Sequence, residues 1–146
     1  MALTYFDTSV VLSLHIPDIH TERVVSVVRS LRGGFAVSPW TRAEIASALG
    51  IMVRRKDISA TNAQAAFDDM HVFCDDAQML AITAAAYDLA TRWMLDFGLG
   101  LRAGDALHGA ICKLNKAQLF TADALLLRAL RKLGQKPLGV GRFSMG

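Results

Sequence analysis

Residues 118–133 read QLFTADALLLRALRKL, and this stretch decides the fold. Gln118 to Thr121 is a short run of strand character, Asp123 closes it, and Ala124 to Leu133 carries apolar residues at helical spacing. A strand that ends on an acid and passes straight into a helix is one half of a βαβ unit. The N-terminus repeats the arrangement. Ala2 to Phe6 is a β-prone run that stops abruptly at Asp7. Two strands therefore present a carboxylate at their carboxyl ends, which is where open parallel sheets bind ligands.

Working outward, strand-like and helix-like segments alternate. Ser9 to Leu14 suits a short helix after Asp7, and Asp18 to Arg32 a longer one closed by Gly33 and Gly34. Phe35 to Val37 reads as the second strand. Ser38 and Pro39 then supply a cap and a first position for a helix running to about Arg55, whose basic last turn suits the helix dipole. Ser59 opens a helix through Met70, and His71 to Cys74 is read as a further strand. The remaining elements are helices at Ala81 to Phe97 and Asp105 to Leu114, and a last strand at Leu138 to Val140. The alternation predicts an α/β fold with a central, mostly parallel sheet, because parallel strands need crossover connections.

With 146 residues, 53% of them hydrophobic, the chain has the size and core-forming content of one domain spanning residues 1–146. It holds no internal repeat, low-complexity stretch or long like-charge block. The net charge of +3 permits a polyanionic partner without demanding one. Cys74 and Cys112 lack zinc-type spacing and read as small buried hydrophobes in a reducing compartment. Met1 to Phe6 has no basic leader, so a cytoplasmic protein is expected. Asp88, Arg92 and Asp96 give the Ala81 to Phe97 helix one wet face, which excludes a membrane span.

Four acids stand out: Asp7, Glu44, Asp105 and Asp123. Each has a purely structural explanation. Asp7 and Asp123 suit helix N-caps, Asp105 suits a helix start after Gly104, and Thr41 to Glu44 has capping-box spacing. Four independent caps would not need to lie on one sheet edge, however. Carboxylates gathered there repel unless a divalent cation compensates them, and an all-oxygen set points to Mg²⁺, with Mn²⁺ as substitute. Such a site suits in-line attack on a phosphodiester.

These motifs resemble the PIN-domain ribonucleases, most closely the VapC-type toxins of bacterial toxin-antitoxin pairs. Phe6-Asp7-Thr8-Ser9 is similar to the family's opening acid, and Arg42-Ala43-Glu44 to its helical Glu. Residues 101–108, LRAGDALH, and Thr121-Ala122-Asp123 are similar to its third and fourth acids. The resemblance implies a PIN-like three-layer α/β/α sandwich, Mg²⁺-dependent endoribonuclease activity on an RNA substrate, a cognate antitoxin and a homodimer. It makes Asp7 and Asp105 direct metal ligands, with Glu44 and Asp123 acting directly or through water. Ser9 and Thr121 support a carboxylate or a metal-bound water, and Arg102 is the candidate phosphate contact. After Asp123 the chain departs from relatives that carry a further acid, since Ala124, Leu125, Leu126 and Leu127 follow. One firmly held ion is therefore expected.

His108 shares a helix face with Asp105, and a packing role is expected for it. Arg54, Arg55 and Lys56 read as a solvated helix end, and Trp40 and Trp93 as core or interface residues. Two other functions compete. A haloacid-dehalogenase-like phosphatase would use the acid after the first strand as nucleophile, but Ser9 stands where its second acid belongs. A non-catalytic RNA- or protein-binding module would not need all four acids.

Overall fold

A computed structural model describes residues 3–141. The strands are β1 (Thr4–Phe6), β2 (Phe35–Val37), β3 (Gln78–Met79), β4 (Gln118–Thr121) and β5 (Leu138–Gly139). The helices are α1 (Thr8–His15), α2 (Thr21–Ser30), α3 (Pro39–Arg54), α4 (Ala60–Asp76), α5 (Ala84–Leu95), α6 (Ala103–Leu114) and α7 (Ala124–Lys132). Ala2 of the expected first strand lies outside the described residues.

All the strand pairings are parallel, in the order β3-β2-β1-β4-β5. β1 is central: Tyr5 lies level with Ala36 on one side and Leu119 on the other. Thr4, Tyr5 and Phe6 are all buried, as a strand covered on both faces must be. Successive side chains divide between two cores. Tyr5, Ala36 and Leu119 face α5, α6 and α7, whereas Phe6, Val37 and Phe120 face α1 to α4. The result is a three-layer α/β/α sandwich. The strand order reverses direction between β1 and β4, the topological switch where α/β sheets open a crevice.

One element departs from expectation. His71 to Cys74 is not a strand, because α4 continues through it to Asp76. Ala63, Met70 and Cys74 recur at helical spacing and all enter the core, so burial at that period outweighs the β preference of Val72 and Phe73. The edge strand is Gln78–Met79 instead, exposed at both residues and too short to leave an apolar signature. Ser59 caps α4 as expected, accepting from Asn62 N–H at 3.1 Å. Among the described residues no helix is long and apolar enough to cross a membrane.

Candidate active site

Asp7 leaves β1 at the switch point, buried and with both carboxylate oxygens engaged. Oδ1 accepts from Ser9 Oγ at 2.5 Å and from Val10 N–H at 3.2 Å, and Oδ2 accepts from Thr121 Oγ1 at 2.5 Å. Asp7 is thus the N-cap of α1 and something more, since Thr121 reaches it from the neighbouring strand. The two hydroxyls are themselves held. Ser9 Oγ accepts from Ala122 N–H at 3.0 Å, and Thr121 Oγ1 from Asp123 N–H at 2.9 Å. Both expected supporting residues therefore stitch β4 to α1 through Asp7. Burial drives the Asp7 carboxyl above its ordinary value, against the lowering effect of His108 and these donors.

Asp123 caps α7, with Oδ1 accepting from Leu125 N–H at 2.8 Å and Leu126 N–H at 3.2 Å. Its capping role is real and uses one oxygen. Glu44 is different. α3 begins at Pro39, and Ser38 N–H donates to Thr41 Oγ1 at 3.2 Å, so Glu44 falls in the second turn and caps nothing. Its Oε1 accepts from Thr8 Oγ1 at 2.7 Å and from His108 Nε2. Burial alone would raise the Glu44 carboxyl, but His108 and Thr8 together hold it below its ordinary range.

Asp105 sits in the first turn of α6, whose N-cap is Arg102, so it is not itself a cap. Burial pushes its carboxyl up, the negative charges of Asp123, Asp7 and Glu44 push it further, and His108 only partly offsets them, leaving it at about 6. The other three acids therefore all act on Asp105. Gly104, just before Asp105, presses on Glu44: a Cβ there would stand 2.7 Å from Glu44 Oε2. Arg102 is exposed at the mouth of α6.

The contacts of three side chains around Glu44 are not legible in the sequence. His108 is buried, and its Nδ1 lies 2.7 Å from Tyr5 Oη, which in turn lies 2.7 Å from Ser38 Oγ. His108 does pack, as expected, yet it also carries Glu44. Tyr5 and Thr8 complete the support, and only the strand and helix pairing could reveal them. Among the described residues no three His, Cys, Asp or Glu side chains stand together as a ready-made metal set. The acids share a negative potential, not a formed coordination shell. Their oxygen-only chemistry and the uncompensated charge on Asp105 fit a hard divalent cation.

A sequence profile of the PIN domain matches residues 4–132. The chain belongs to the PIN domain family. That membership removes the grounds for a dehalogenase-like phosphatase. The PIN fold is shared with FitAcB from Neisseria gonorrhoeae at 17% identity, covering 97% of this chain and 99% of that one, with a TM-score of 0.67. It is shared also with VapC20 of Mycobacterium tuberculosis, described as a sarcin-ricin loop cleaving toxin (17% identity, 86% and 94% coverage, TM-score 0.66). VapBC2 from Rickettsia felis, bound to a DNA fragment from its promoter, is a further structural relative (13% identity, 94% and 96% coverage, TM-score 0.66). No curated protein sequence matches the chain.

Proposed function

We infer that the protein is a metal-dependent endoribonuclease, the toxin of a toxin-antitoxin pair, carried by one PIN domain. The observation that carries this reading is Asp105. Its carboxyl is driven to about 6 by burial and by three other acids, a charge excess that a bound cation would relieve. A structural relative from Klebsiella pneumoniae described as a toxin-antitoxin complex supports an antitoxin partner, and the description of VapC20 as a sarcin-ricin loop cleaving toxin supports RNA as substrate. A homodimer acting in the cytoplasm completes the reading.

Asp7 and Asp105 would hold Mg²⁺, or Mn²⁺ in its place, with Glu44 and Asp123 directly or through water. A divalent cation so held supplies charge neutralisation at the attacked phosphate and a more acidic water. The chain's own contribution is to fix the acids. Ser9 and Thr121 hold Asp7 from both sides, while His108 and Thr8 take Oε1 of Glu44 and leave Oε2 turned toward α6. Arg102, exposed at the start of α6, would be the contact for a substrate phosphate near Asp105.

The test is cleavage of total cellular RNA by purified chain free of partner, with Mg²⁺ or Mn²⁺, beside Asp7→Asn and a chelated control. Cut sites that appear only with metal and vanish in the variant are expected. A wild-type chain that cuts no RNA under these conditions overturns the reading and leaves a non-catalytic binding module.

A further inference from the structure

The geometry points to a second, basic subsite for this nuclease: a cleft beside Asp123 that holds the phosphodiester backbone of the single strand flanking the bond to be cut. The cleft has a volume of about 500 Å³, and Thr121 and Asp123 of the acid site form part of its wall. Arg128 and Arg131 line it from α7, and His20 lines it from the turn into α2. Residues i and i+3 on a helix share a face, so both guanidinium groups belong to one side of the cleft.

A bland explanation covers only part of this. Basic residues in a last helical turn complement the dipole, which accounts for Arg131 and Lys132. Arg128 is a turn earlier, and Lys132 does not line the cleft. Among the described residues neither Arg128 nor Arg131 makes a hydrogen bond or ion pair, so their donors are available to a ligand. Two glycines also line the cleft. Gly139 carries no side chain, and a Cβ there would press on Leu127 at 2.8 Å, while Gly141 has a φ of +77° that favours glycine. Arg23 reaches the same part of the cleft, donating to Val140 O at 3.4 Å.

The chemistry is complementary to that of the acids. Four carboxylates repel a nucleic acid except where a cation intervenes, and a chain with a net charge of only +3 has no general attraction to offset this. Two forked guanidinium groups immediately beside Asp123 supply that attraction where a neighbouring phosphate would lie. This inference rests on the nuclease reading for its substrate.

The experiment measures anisotropy of a labelled 12-nucleotide single-stranded RNA, and of DNA of the same sequence, on the full chain in chelator across a salt series. The variants are R128Q/R131Q, R128K/R131K and, as control, R54Q/R55Q. R128Q/R131Q is expected to bind roughly 10-fold more weakly, with a salt slope reduced by about 1.4, the value for two lost phosphate contacts on a single strand. R128K/R131K retains the slope, R54Q/R55Q matches wild type, and thermal melts of all variants coincide. RNA and DNA losing affinity together supports backbone recognition. Wild-type affinity and slope in R128Q/R131Q overturns the subsite, as does a wild-type chain that binds polyglutamate but neither strand. The two readings separate cleanly: cleft-dependent binding without metal-dependent cleavage removes the nuclease and keeps the cleft. Cleavage with unchanged KM in R128Q/R131Q does the reverse.

Discussion

Asp7 spends both oxygens on protein donors, so its two substitutions should differ. Asp7→Asn retains most of the hydrogen-bonding shape and is expected to lower cleavage at least about 100-fold with little change in melting temperature. Asp7→Ala also removes the α1 cap and leaves Ser9 and Thr121 without their acceptor, adding a stability loss of about 1–2 kcal/mol. Comparing the two by cleavage assay and thermal melt separates chemistry from folding. Asp105 carries a pH signature. Its carboxyl rises from an ordinary 3.8 to about 6 in the folded chain, so between those values the folded state binds more protons than the unfolded one. Stability is therefore lost as pH rises through that window and stays lower above it. Asp105→Asn should stabilise the metal-free protein above pH 6 by roughly 1 kcal/mol, reduced from the full shift by solvent screening. Melts in chelator should show a gain of about 2–4 °C near neutrality and none near pH 4. A gain of the same size at both pH values would refute the charge crowding.

At the scale of elements, α6 is the part of the fold most tightly constrained, because it carries Asp105 and His108 and packs through two glycines. Gly104 lies where a Cβ would meet Glu44 Oε2 at 2.7 Å and Trp40 Nε1 at 3.1 Å. The carboxylate cannot swing away freely, since Thr8 and His108 hold its other oxygen. Gly104→Ala gains helix propensity of about 1 kcal/mol, which offsets part of the cost of that contact, so its melting temperature should change little while cleavage falls about 10-fold. Gly109 meets the core instead. A Cβ there would stand 2.8 Å from Leu130 and 3.0 Å from Trp93. Gly109→Ala is expected to destabilise by about 1–3 kcal/mol through overpacking, read by denaturant midpoint. Lost cleavage with little stability change at Gly104, and lost stability at Gly109 five residues on, would show that Gly104 serves the site and Gly109 the packing of α5 and α7.

On the scale of the whole molecule, the site is a meeting of both halves of the sandwich. Asp7 and Glu44 come from elements on one face of the sheet, Asp105 and Asp123 from helices on the other, and Asp105 feels the charge of the other three. An ion bound there would hold the two layers in register. Adding Mg²⁺ or Mn²⁺ at about 100 times its dissociation constant should therefore stabilise the protein by about 2.7 kcal/mol. Scanning calorimetry with and without chelator checks this, and Asp105→Asn should abolish the gain.

The sequence by itself determined the α/β alternation, the positions of β1, β2 and β4, and the candidacy of all four acids, because burial periodicity and strand-end chemistry are local properties. It misread His71 to Cys74, where helical burial against the α1-to-α4 core overrode a β-prone run, and it missed β3, whose pairing with β2 leaves no local trace. Tertiary structure alone decided what the acids do to one another. His108 becomes the partner of Glu44 across 64 residues, and Thr121 reaches Asp7 across 114. Hydrogen bonding and charge repulsion depend on distance in space, and neither is written in the spacing along the chain.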